Sequence, residues 1–198
     1  MVTDKSNSIK IDFKKLTTAS IIFGFLLIPL HEFGHVICDW ISGHPASMSY
    51  ARDYLLSGGE TPFLGLLGGP LLPLILSALS VVQVYRQINV SVFYPVAILG
   101  SFERLVLYLS GNLPSDERSL AQIAGWNMYS FKYIFLSLKL ILLLLILLSL
   151  IRYKISLRQA IFILLIPLLS FAAAASIGVF IVERFVFPSQ FKIQFGRL

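Results

Sequence analysis

Charge is scarce in this chain of 198 residues: Asp, Glu, Lys and Arg make up 13% of it, and hydrophobic residues 57%. That balance excludes an ordinary water-soluble domain, in which charged side chains are roughly twice as frequent. Cysteine is nearly absent as well. Cys38 stands alone, so no internal disulfide can form, and a packing role suits it. Only three histidines are present, too few for the membrane di-iron desaturases and hydroxylases. Carboxylates within the apolar runs are also few, a thin supply for a metal transporter. No basic stripe interleaves with exposed aromatic residues, which argues against nucleic acid as a partner. The net charge of +6 comes from Lys5, Lys10, Lys14 and Lys15, from Arg152, Lys154 and Arg158, and from Lys192 and Arg197. These residues flank apolar runs, where anionic lipid headgroups are the natural contact of a lipid bilayer.

What the chain does have is length without polarity. Five runs, at about 17–40, 62–85, 92–111, 132–152 and 159–182, are long enough to cross a hydrocarbon core of roughly 30 Å. They predict an all-α integral membrane protein of about five transmembrane helices, multi-pass, in one membrane domain over 1–198. No repeat or low-complexity linker divides it. The first run is too long for a cleaved signal peptide. Between the first two runs lies the polar stretch Ser42 to Thr61, with Gly43-His44-Pro45 and Ser57-Gly58-Gly59. Its middle, Ser47 to Arg52, alternates loosely and predicts a short surface hairpin. A short amphipathic helix is expected from Asp116 to Gly125, with Leu120, Ile123 and Ala124 on the interface. Trp126, Tyr129 and Tyr133 then form an aromatic belt.

Within the first run stands His31-Glu32-Phe33-Gly34-His35. On a helix, residues four apart share a face, so His31 and His35 can offer imidazole nitrogens to one Zn²⁺ while Glu32 projects beside them toward a bound water. Two histidines and a glutamate in a spanning helix cost several kcal/mol together unless they pair, bind metal or face a wet cavity. The pattern therefore points to metal chemistry at membrane depth.

Depth along the spans sharpens this. At 1.5 Å per residue, His31 and His35 lie within one or two turns of the far end of the first span. Gly68-Gly69-Pro70 comes at nearly the same level in the second span. Glu103 and Arg104 fall at mid-membrane in the third, with Asn112, Pro114 and Asp116 at the surface beyond. A catalytic zinc takes three protein ligands and an open position. The third is then His44 or a carboxylate, with Asp116, Glu117 and Glu103 as the candidates. Asp39 lies a full turn beyond His35 and is set aside.

The order His31-Glu32-x-x-His35, hairpin, Gly68-Gly69-Pro70, then Asn112-Leu113-Pro114-Ser115-Asp116 resembles the site-2 protease family of intramembrane zinc metalloproteases. The resemblance covers residues 17–126, a three-span zinc metalloprotease-like core. Residues 127–198 supply two additional transmembrane helices without a signature. Three features depart from the family pattern: the Asn112 to Asp116 stretch is short, Glu117 stands where a glycine is usual, and Pro73 replaces a frequent asparagine. The resemblance implies that His31, His35 and Asp116 hold zinc and that Glu32 is the catalytic base. It also implies hydrolysis of peptide bonds in or near a membrane-embedded helix, with a transmembrane protein as substrate. A bare core of this kind is expected to depend on a regulatory membrane partner for substrate choice. The alternative is a non-hydrolytic membrane scaffold or chaperone that keeps the fold; a purely structural site, however, needs no base such as Glu32.

Overall fold

The computed structural model describes residues 9–56, 61–178, 181 and 193–195. Ser57-Gly58-Gly59, the end of the expected fifth span, and Lys5, Lys192 and Arg197 lie outside the described residues. The described chain is all-α apart from a small sheet, and five helical stretches are long and apolar enough to cross a membrane. They run in the order α1 (Phe13–Ile41), α2 (Phe63–Tyr85), a broken third span made of α3 (Val90–Phe102) and α4 (Leu105–Leu109), α6 (Ser130–Arg152) and α7 (Leu157–Ile177). Between the third and fourth spans lies the short helix α5 (Ser115–Ala124). The spans match the hydropathy expectation to within a few residues.

α1, α2 and α3 pack on one another. α7 lies against α1 and α3, while α6 lies against α2, α3, α4 and α5. The tightest approach is between α1 and α2. A Cβ on Gly34 would run into the carbonyl of Gly68, and one on Gly68 into the carbonyl of Gly34. Two helix backbones therefore touch with nothing between them, the small-residue packing that membrane helices use when no hydrophobic effect drives them together. Gly65, about one turn before, and Gly69, the next residue, leave this part of α2 without side chains as well. α6 and α7 turn long apolar side chains such as Leu144, Leu147, Leu165 and Leu169 outward, as lipid-facing helices do.

The segment after α1 forms the expected hairpin. β1 (Ala46–Met48) pairs antiparallel with β2 (Asp53–Leu55), with Met48 opposite Asp53. A third strand, β3 (Ile193–Phe195), covers the other edge of β1 and places Gln194 opposite Ser47, which gives the order β2-β1-β3. The hairpin does not lie flat over the bundle end. It runs back along α1, packing Ala46 and Met48 on Val36 and Phe33, until Tyr50 reaches Phe25, about 24 Å along the helix from Ile41. The reason is a backbone vacancy. Pro29 has no N–H, so the carbonyl of Phe25 lacks its helical partner. The Tyr50 hydroxyl donates to that oxygen at 2.8 Å.

Two further expectations change in detail. Leu120 of α5, expected on the membrane interface, is fully buried together with Ala121, because α5 packs inward on α2 and α6; Ile123 stays exposed at 49%. The third span is not continuous. Glu103 leaves the helical region with ψ of 124°, and Arg104 has φ of 57°, a left-handed conformation uncommon outside glycine. The break frees α3 carbonyls, and Lys139 of α6 donates to one of them, Gly100, at 3.1 Å.

The Tyr50 contact yields a test. Tyr50→Phe should cost roughly 1 to 3 kcal/mol, the penalty for a buried carbonyl left unpaired. In a Pro29→Ala background the helix supplies its own N–H to Phe25, and the same substitution should cost much less. Denaturation of the four proteins in detergent measures the coupling, and equal costs in both backgrounds would refute it.

Candidate metal centre

α1 supplies His31 and His35 to the buried side of the helix, exposed by only 4% and 3%. The fit of His35 depends on α2. Its ring lies where a Cβ on Gly69 would be, and its Nδ1 is 2.7 Å from the carbonyl oxygen of Gly65. A carbonyl only accepts, so Nδ1 carries the proton and donates. In the neutral ring, Nε2 is then a bare lone pair. His31 reaches the same state from the other direction. Arg104 Nη2 lies 2.7 Å from His31 Nε2, and a guanidinium only donates, so Nε2 accepts.

Asp116, in the first turn of α5, closes the group. His31 Nε2 and His35 Nε2 are 3.2 Å apart, and Asp116 Oδ2 lies 3.3 Å from the first and 3.4 Å from the second. All three are acceptors when both rings are neutral, and the only donor beside them among the described residues is Arg104, which faces His31 Nε2 and Asp116 Oδ2. Such a cluster asks for a cation. Ligands held at 2.0–2.1 Å in tetrahedral array stand about 3.3–3.4 Å from one another, so the observed triangle has the spacing of a small divalent ion's ligands, and an ion would take the place of the Arg104 N–H on the His31 lone pair. Without an ion, positive charge comes from Arg104, whose Nη1 is 2.7 Å from Asp116 Oδ2. Burial works against the Asp116 charge, but the histidine hydrogen bonds and the guanidinium outweigh it and hold that carboxyl well below the usual carboxylate range.

The other ligand candidates are committed elsewhere. Glu117 is fully buried, accepts from Tyr108, and takes Arg104 Nη1 at 3.2 Å. Glu103 Oε2 accepts from Lys139 Nζ at 2.9 Å, and its Oε1 lies 3.2 Å from Arg104 Nε and 3.1 Å from His31 Nδ1. The last contact is an ion-pair distance off the line of a hydrogen bond. His44 belongs to no cluster of possible ligands among the described residues, and neither does Asp39, which lies against Gly65.

Glu32 is partly buried beside this triangle. With His35 and Asp53 it forms a second group whose donor atoms lie within 4.8 Å of one another. Asp53, the first residue of β2, enters the site only because the hairpin folds back along α1. A cavity of about 330 Å³ opens next to the centre. Glu32, His31, Glu103 and Arg104 form its polar wall, and its apolar lining includes Leu27, Leu107 and Phe171. Leu107 and neighbouring Val106 are exposed at 44% and 70%, so the cavity's apolar mouth lies on the side where helices face acyl chains.

No family model, curated protein or solved structure matches this chain. The likeness to site-2 proteases therefore rests on the motif residues alone.

The geometry makes metal content directly measurable. The wild-type protein, purified in detergent, should carry one divalent metal ion per chain by elemental analysis, and His35→Ala or Asp116→Ala should bring this close to zero. Gly69→Ala leaves every donor in place but sets a methyl group into the His35 ring, so metal content should fall there too. Full retention in Asp116→Ala would remove that residue from the ligand set.

Proposed function

We propose that this protein is an intramembrane zinc metalloprotease of the site-2 type, cleaving peptide bonds in or near membrane-embedded helices. The observation that carries this reading is the convergence of three acceptors, His31 Nε2, His35 Nε2 and Asp116 Oδ2, with Arg104 beside two of them and the Glu32 carboxylate on the wall of an adjoining cavity with an apolar mouth. Two imidazoles and one carboxylate form the donor set of catalytic zinc sites in many hydrolases. The chemistry zinc supplies in such a site is a water of lowered pKa and a polarised carbonyl.

The rest falls to the chain. Glu32 makes no hydrogen bond with a described residue and is free to take a proton from the attacking water. As oxygen bonds to the scissile carbon and the carbon–nitrogen bond breaks, Glu32 returns that proton to the leaving amine. His35 is held by Gly65, so its ring does not turn during the reaction. Arg104 balances Asp116 and Glu117 in a setting where unpaired carboxylates would be costly. The apolar walls at Leu27, Leu107 and Phe171 accept a side chain arriving from the bilayer. A helical substrate hides its carbonyls in hydrogen bonds, so its local unwinding precedes attack.

Glu32→Gln separates enzyme from scaffold. It keeps size and hydrogen bonding but removes the base, so metal content and melting temperature should stay at wild-type values. Cleavage of a tagged model transmembrane helix in liposomes should fall by about 10² or more, and a chelator should abolish it in the wild type. Equal cleavage by both forms would remove Glu32 from the mechanism. Failure of the wild type on a broad panel of helices would favour the scaffold.

A further inference from the structure

The geometry points to Glu103, held in place by Lys139 of α6, as the residue that sets His31 for metal binding; this positioning role rests on the metal-centre reading above. His31 presents Nε2 to the metal triangle, and its other nitrogen, Nδ1, lies 3.1 Å from Glu103 Oε1. The tautomer that frees Nε2 is the one that carries its proton on Nδ1, and the nearest carboxylate oxygen to that nitrogen is Glu103 Oε1, at ion-pair distance though off the line of a hydrogen bond. Histidine ligands are commonly fixed in this way, by an acceptor on the nitrogen that does not touch the ion. For His35 the acceptor is the Gly65 backbone. His31, on the side of α1 that faces the broken third span, has no carbonyl in that role, and a carboxylate stands there instead.

Glu103 serves His31 and Lys139 through different oxygens, with Arg104 Nε also 3.2 Å from the oxygen that faces His31. Oε1 faces His31 and Oε2 accepts from Lys139 Nζ at 2.9 Å. Lys139 is fully buried in the middle of α6, an expensive place for an ammonium group. A simple structural ion pair would account for the Lys139–Glu103 contact alone. It does not account for the third member, a metal-ligand histidine on the carboxylate's second oxygen. Nor does it account for the left-handed Arg104, which ends the regular helix where Glu103 must turn toward α1. Through Lys139, the fourth span becomes part of the site, although nothing in the sequence of that span marks it as such.

The experiment measures zinc affinity by chelator competition on the full-length protein in detergent. Glu103→Gln alone leaves Lys139 charged and unpaired, so the informative variants change both residues. Glu103→Leu with Lys139→Met removes the acceptor and the buried cation together. Glu103→Gln with Lys139→Met keeps one acceptor oxygen. Zinc binding should weaken about 10- to 100-fold in the Leu/Met pair and by a smaller factor in the Gln/Met pair, with melting temperatures near wild type. In histidine-detected ¹⁵N spectra of the zinc-loaded protein, the His31 Nδ1–H signal should move from its wild-type position in the Leu/Met pair, which a merely structural ion pair would not bring about. If the Leu/Met pair does not fold, the Gln/Met pair decides: a dissociation constant and an Nδ1–H signal equal to wild type overturn the inference, and a weakened constant with a moved signal supports it. Zinc bound normally by wild type and by both pairs would overturn the positioning role and leave the metal centre standing. A wild type that binds no zinc would overturn both.

Discussion

The contact of two helix backbones at Gly34 and Gly68 governs the rest of the structure. Because α1 and α2 touch there, the Gly65 carbonyl comes within reach of His35, and Gly69 leaves room for its ring. The same glycines that let the helices approach therefore fix the orientation of a metal-ligand candidate. In a bilayer, where lipid competes equally for apolar surface, such an approach gains its stability from packing and from polar contacts made possible by short distance. Packing and site are one feature here. A bulkier residue on this α2 face would disturb both at once.

Around that contact, the polar groups obey a rule of company. Asp116, Glu117 and Glu103 surround Arg104, and Lys139 joins them from the far side through Glu103. Glu32 and Asp53 add further negative charge nearby. Carboxylates outnumber the fixed cations, which is the imbalance a divalent ion corrects. The broken third span gives the arrangement its shape, since a continuous helix could not direct Glu103 and Arg104 toward both α1 and α5. Irregular backbone at such depth is tolerated where protein groups satisfy it, and Lys139 on the Gly100 carbonyl does so.

Much of this was legible in the sequence. Hydropathy located the five spans, and His31-Glu32-x-x-His35 with Gly68-Gly69-Pro70 and Asp116 marked three elements that the fold does bring to one level. Glu103 and Arg104, placed at mid-membrane by the sequence, turn into the bundle. Other parts left no local signal. Asp53 belongs to a three-residue strand, and nothing nearby in sequence says that the hairpin dips to Phe25; the pairing of Pro29 with Tyr50 is visible only once the two are seen together. Lys139 is one lysine in a leucine-rich run, and its partner lies 36 residues earlier in another span. Leu120 fitted an interfacial face as well as a buried one, because an amphipathic pattern does not say whether lipid or protein covers it.

The pairing of β1 with β3 bears on how the molecule is made. Met48 waits for Ile193. At typical synthesis rates of 5–20 residues per second, roughly 7 to 30 s pass before its partner strand exists. All the spans after the first must be threaded into the bilayer in that interval. Closure of the sheet is thus a late event in biogenesis, and until it happens one edge of β1 offers its backbone groups to whatever extended chain is close at hand.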